Sequence, residues 1–148
     1  MKIEVITENL SYLEIATRQL DRAIALYLIE KDFISSLTLA GAAEEILGKL
    51  LNESGQHHAL NYIIEGALKL NGMDSNAPEA KSAEKEIANL ANYYKNRLKH
   101  YNSENTTLNF SVDYYSADII DRAISNYFAY TSLETELMVR FKNEVLLG

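Results

Sequence analysis

Apolar side chains recur along this chain at three- and four-residue intervals rather than alternately, a pattern that predicts helices throughout. Leu10, Leu13, Leu20, Ile24, Tyr27 and Leu28 mark a first helix, capped by Thr7 or Asn9 and running to about Lys31. Asp32 caps a second from Phe33 to about Glu53, and Gly55 supplies a left-handed stop. A third spans about Gln56 to Leu70 and ends at Asn71-Gly72. Met73 to Pro78 reads as a turn, with Pro78 in the opening turn of a fourth helix that reaches about His100. Asn102 to Thr107 breaks the pattern, and Asp113 opens a long last helix through about Val145. Leu108-Asn109-Phe110-Ser111-Val112 alternates as a strand would, but so short a run without a partner is expected to be an extended loop pinned by Leu108 and Phe110. The expected architecture is all-α, an antiparallel bundle of four to five helices in one domain over residues 1–148.

The second helix carries two apolar faces. Leu39, Ala43, Ile46, Leu47 and Leu50 form one stripe, while Leu37, Gly41, Glu44, Gly48 and Leu51 gather well over 90° away at about 100° per residue. Each mid-helix glycine costs roughly 1 kcal/mol relative to alanine, so a return in close helix approach or ligand access is expected. A glutamate on such a face ordinarily reaches solvent from a rim. The other reading has Glu44 meet a cation of the fourth helix.

At 148 residues, with 47% hydrophobic and 24% charged side chains, the chain can bury a core without staples. The absence of cysteine excludes disulfides, thiolate metal sites and thiol nucleophiles. The amino terminus, with Glu4 and Glu8, lacks a signal-peptide run, and no stretch reaches the length of a membrane span, so a cytoplasmic protein without membrane contact is expected. A net charge of −7 argues against a broad grip on nucleic acid. The charge is uneven, however. From Lys81 to Tyr101 five bases face two acids, a local +3 that leaves −10 elsewhere and suits a defined anionic target.

That basic segment ends in Lys95-Asn96-Arg97-Leu98-Lys99-His100-Tyr101, where cations, an amide, an imidazole and a phenol crowd together. On a regular helix Asn96 and His100 share a face, Arg97 lies about 60° from His100, and Lys95 lies about 140° away. Asn96, Arg97 and His100 could then act together on a phosphate, with Lys95 joining through its long side chain. The simpler reading is a basic last turn that complements the helix dipole, at roughly 0.3 to 1 kcal/mol per charge.

The run from Lys95 to His100 in a small all-helical chain resembles the HEPN family (higher eukaryotes and prokaryotes nucleotide-binding domain). Its ribonuclease members carry Arg, often a polar residue next, and His after four to six intervening residues. Here four residues separate Lys95 from His100 and Asn96 fills the polar position, while Lys95 stands where the family has Arg. The resemblance implies a metal-independent endoribonuclease, usually a homodimer whose two motifs share a cleft. His100 would be general base or acid, Arg97 or Lys95 would stabilise phosphate charge, and Asn96 would orient the phosphate or the imidazole. Glu44 and Tyr101 would support the site. An ammonium cannot make the two-pronged contact of a guanidinium, so the same resemblance also implies the family's noncatalytic form. Such members bind nucleotides or proteins, often paired with a nucleotidyltransferase in toxin–antitoxin or defence systems.

No cofactor is implied. His57 and His58 are adjacent and would point about 100° apart on a helix, which disfavours a shared metal. Five of the ten tyrosines (Tyr93, Tyr94, Tyr101, Tyr114 and Tyr115) bracket the basic cluster; they are expected to edge a core with hydroxyls in water, and they suit stacking on bases or a protein interface. The long apolar last helix could also accept a second copy, so a homodimer is expected.

Overall fold

The computed structural model describes residues 1–148 and is all-helical, with seven α-helices and no strand. Helix α1 (Tyr12–Ala25) runs on into a π-helical turn, Leu26–Glu30, and α2 covers Phe33–Glu53. Helices α3 (Ala59–Leu70), α4 (Ala80–Ala91) and the short α5 (Tyr93–Arg97) follow. Helix α6 (Val112–Thr131) and α7 (Glu136–Phe141), extended by a π-helical turn at Lys142–Leu146, complete the chain. None of these helices is long and apolar enough to cross a membrane.

Helix α1 starts later than Thr7 or Asn9 because Ser11 and Glu14 form a capping box. Glu14 N donates to Ser11 Oγ at 3.1 Å, and Ser11 N donates to Glu14 Oε2 at 2.8 Å. Two orphan amides are satisfied at once, which a lone Thr or Asn cap cannot match. Helix α2 begins and ends as expected: Asp32 Oδ1 accepts from Ser35 N at 3.1 Å, and Gly55 beyond its end has φ of 74°.

Two predicted helices are each divided. The fourth stops at Ala91, turns at Asn92 and resumes as α5, which ends at Arg97 rather than His100. At the division Arg122 of α6 donates to the Ala91 carbonyl at 3.0 Å and to Asn92 Oδ1 at 2.7 Å. The last predicted helix stops where Ser132 adopts φ of 59°, a left-handed cap whose N–H donates to Phe128 O at 2.8 Å.

The core unites α1, α2, α6 and α7 through Leu20, Ile24, Leu37, Leu47, Ile120, Met138 and Phe141, all fully buried. Helix α2 packs most extensively on α6 and then on α1. A buried hydroxyl chain ties these three together: Ser116 Oγ donates to Ser36 Oγ at 3.0 Å, and Ser36 Oγ donates to Ala23 O at 2.7 Å. By contrast, α3 and α4 pack mainly on each other and bury only Leu68 and Ala80. The segment 108–112 forms no strand, and Phe110 stacks on Tyr94 with centroids 4.2 Å apart.

Candidate functional site

The glycine-bearing face of α2 is the deeply buried one, and it positions the site. A Cβ at Gly41 would lie 2.7 Å from Lys95 Cγ and 2.8 Å from Cδ, so only glycine lets the Lys95 stem cross α2 at this point. At Gly48 the neighbour is the His58 ring, 3.6 Å from where a Cβ would stand. Lys95 threads past Gly41 to place Nζ 3.1 Å from Glu44 Oε2. Glu44 therefore leaves the rim expected for it: it is 4% exposed and meets a cation of the basic segment.

Glu44 also holds a second cation. Its Oε1 accepts from Arg122 Nη2 at 2.8 Å, so one carboxylate bridges α5 and α6. Arg122 is 4% exposed, donates to Ala91 and Asn92 as described, and has Asp118 at 3.9 Å, while its Nε has no hydrogen-bond partner. Asn126 closes the network, with Nδ2 3.4 Å from Glu44 O and Oδ1 accepting from Ala59 N at 2.7 Å. The last bond ties the start of α3 to α6.

His58 caps this arrangement. Its ring lies over Gly48, and Nδ1 is buried with no partner. Burial of the ring pushes its pKa down, a shift that the Glu44 charge opposes and the Arg122 charge reinforces. His58 is thus neutral at pH 7. The adjacent His57 turns the other way and sits 3.1 Å from Glu65.

Between α2, the start of α3 and the α4–α5 junction opens a cleft of about 350 Å³. Gly48, Asn52, His58, Asn92, Lys95 and Asn96 line it, Glu44 lies at its floor, and exposed Glu45 and Lys49 flank it. Leu60 is its single apolar side chain. Lys49 pairs with Glu45 at 3.2 Å and Lys99 approaches the same carboxylate at 3.7 Å; the Lys49 hydrogen bond, with the Lys49, Lys95 and Lys99 charges, holds Glu45 below the usual carboxylate range against the opposing effect of burial.

The basic segment is therefore split. Lys95 and Asn96 face the cleft with Glu44, whereas Arg97 turns to the following loop, donating to His100 O at 3.2 Å and Asn105 O at 2.9 Å. Because α5 ends at Arg97, His100 lies in a bend and the regular-helix angles do not relate it to Asn96. Asn96 and His100 are exposed, and Tyr101 is 83% exposed. Tyr94 and Tyr115 back the loop beside Phe110, while Tyr93 and Tyr114 are exposed.

Sequence reasoning missed Arg122, Asn126, Asn92 and the inward role of His58. Arg122 had a signal: with Asp121 it forms a charged pair inside an apolar run, Ile119-Ile120 to Ala123-Ile124. Nothing local marked Asn92 or His58, whose partners lie far along the chain. No protein-family model, curated protein or solved structure matches this chain.

Proposed function

We propose that this chain is a HEPN-like cytoplasmic bundle of four to five antiparallel helices, some divided by short breaks, that binds a nucleotide or a protein without cleaving RNA. The observation that carries the reading is the ion pair of Lys95 with Glu44 at 3.1 Å, with Lys95 only 6% exposed. The cation in the motif's arginine position is neutralised inside the fold and is not presented beside His100 to a scissile phosphate. Arg97 does not replace it, because its guanidinium is occupied by the carbonyls of His100 and Asn105. Transition-state charge on a phosphoryl group needs such a donor aimed at it.

What remains at the surface suits recognition. His100, Tyr101 and Tyr93 are exposed on the basic segment, and exposed tyrosines can stack on bases at roughly 1 to 3 kcal/mol per base. Leu90 at 76% and Tyr114 at 66% exposed add apolar area that favours a protein partner or a second copy of the chain. The resemblance extends the proposal to a homodimer, and to a nucleotidyltransferase as the class of protein partner in a toxin–antitoxin or defence pair.

Fluorescence anisotropy with labelled mononucleotides and short RNAs tests the nucleotide half. Saturable binding is expected, weakened about fivefold or more by Tyr101→Ala through the loss of one stacked base. Absence of binding to every nucleotide and RNA removes that half. Light scattering at micromolar concentration tests the dimer, which a monomeric mass would contradict.

A further inference from the structure

We propose that the cleft between α2, the start of α3 and the α4–α5 junction is a binding site for a small hydrophilic molecule carrying one oxyanion group, a phosphate or a carboxylate. The inference rests on the cleft's own chemistry and not on the family resemblance, although Lys95 and Asn96 belong to both. Its volume, about 350 Å³, is at the small end of ligand sites, which span roughly 300 to 1,000 Å³. With Leu60 as the only apolar lining side chain, an apolar ligand finds nothing to bury against.

The choice of an oxyanion follows from which hydrogen-bonding groups are already occupied. Both oxygens of Glu44 are engaged by Lys95 and Arg122, and Glu45 is engaged by Lys49 with Lys99 close by. The donors are not used up in this way. Lys95 Nζ makes one hydrogen bond of the three an ammonium can donate. Asn92 gives its carbonyl oxygen to Arg122, which fixes the amide orientation and leaves its NH₂ for the cleft it lines. Asn52 and Asn96 add two further amides, neither of them bonded within the chain.

Charge points the same way. The charges lining the cleft, Lys49 and Lys95 against Glu44 and Glu45, balance, and their ion-pair partners behind it (Lys99 and Arg122, with Asp118 against Arg122) add a surplus of one positive charge on a chain of −7. At the floor Glu44 is the one buried carboxylate against buried Lys95 and Arg122, with the part-exposed Asp118 3.9 Å from Arg122. Burying three charges costs more than an apolar core of the same volume, so the network is costly as pure architecture. A single oxyanion entering beside Lys95 and the asparagine amides meets charge-assisted donors in a partly desolvated site.

Proton–nitrogen NMR titration of the full chain tests the proposal, using inorganic phosphate and sodium acetate as separate probes, with sodium chloride at matched ionic strength as control. The side-chain amide signals of Asn52, Asn92 and Asn96 are expected to shift and saturate. Saturation by phosphate alone identifies a phosphoryl group, by acetate alone a carboxylate, and by both a site that reads the shared oxyanion. Asn96→Ala, an exposed change that leaves the core intact, is expected to weaken binding about tenfold through one lost charge-assisted hydrogen bond. Lys95→Met should weaken it further. The proposal is overturned if neither anion gives saturable shifts, if chloride reproduces them, or if both variants bind as the wild type does.

Discussion

Lys95 and Glu44, 51 positions apart in the chain, form a buried ion pair at 3.1 Å, and the same carboxylate accepts from Arg122 at 2.8 Å. Three helices thus converge on one acidic side chain. Removing it leaves buried Lys95 without a counter-charge and Arg122 with only Asp118 at 3.9 Å, so Glu44→Ala is expected to destabilise the protein by about 3 to 5 kcal/mol in denaturant unfolding. Lys95→Met keeps the aliphatic stem over Gly41 and leaves Glu44 with Arg122, so it should cost far less. Equal losses in the two variants would show that Lys95, and not the shared carboxylate, holds the junction.

Gly41 gives a second test, because its replacement has opposing effects. Alanine gains roughly 1 kcal/mol of helix propensity, while a Cβ 2.7 Å from Lys95 Cγ forces an overpacking cost of about 1 to 3 kcal/mol. The buried lysine stem has little room to yield, so Gly41→Ala is expected to be net destabilising. In a Lys95→Ala background the clash disappears, and the same substitution should stabilise. A double-mutant cycle showing no coupling would contradict the close crossing of α5 over α2.

The hydroxyl chain joining α1, α2 and α6 predicts non-additivity. Ser36→Ala leaves the buried Ser116 hydroxyl without its acceptor, at a cost of about 1 to 3 kcal/mol. Adding Ser116→Ala removes the orphaned group, so the double variant should lie closer to wild type than the sum of the singles. Thermal unfolding of the three variants checks this, and simple additivity would count against it.

His58 predicts a pH dependence. Its folded pKa is pushed down, chiefly by burial of the ring, so as pH falls below the ordinary value of 6.5 the unfolded chain takes up the proton first. Stability is therefore full above that value and declines below it, until the pH reaches the depressed folded pKa and the folded protein is protonated too. Unfolding free energies measured from pH 7.5 downward, as a difference between wild type and His58→Gln, should show this decline only in the wild type. A difference that stays flat would place the His58 ring in solvent.

Much of this was legible in the chain because it depends on neighbours in sequence. Asp32 and Gly55 bound α2 through local capping, and the placement of Glu44 between Gly41 and Gly48 pointed to a covered face that could meet a cation. The Ser11–Glu14 box was equally local and was overlooked in favour of Thr7 and Asn9. The break at Asn92 carries no glycine or proline to mark it, and the guanidinium that bonds there, Arg122, comes from 30 positions away. That break and the early end of α5 undo the helical geometry that grouped Asn96, Arg97 and His100. The stop at Ser132 had no glycine to announce it. His58 acquires its role only when α3 folds against Gly48.

Incubating purified protein with structured and single-stranded RNAs, beside His100→Ala, is the most direct test of a noncatalytic chain whose motif lysine is buried in an ion pair with Glu44. Intact RNA in both reactions, on every substrate, is the expected result. Cleavage by the wild type that His100→Ala abolishes would contradict it and establish a ribonuclease.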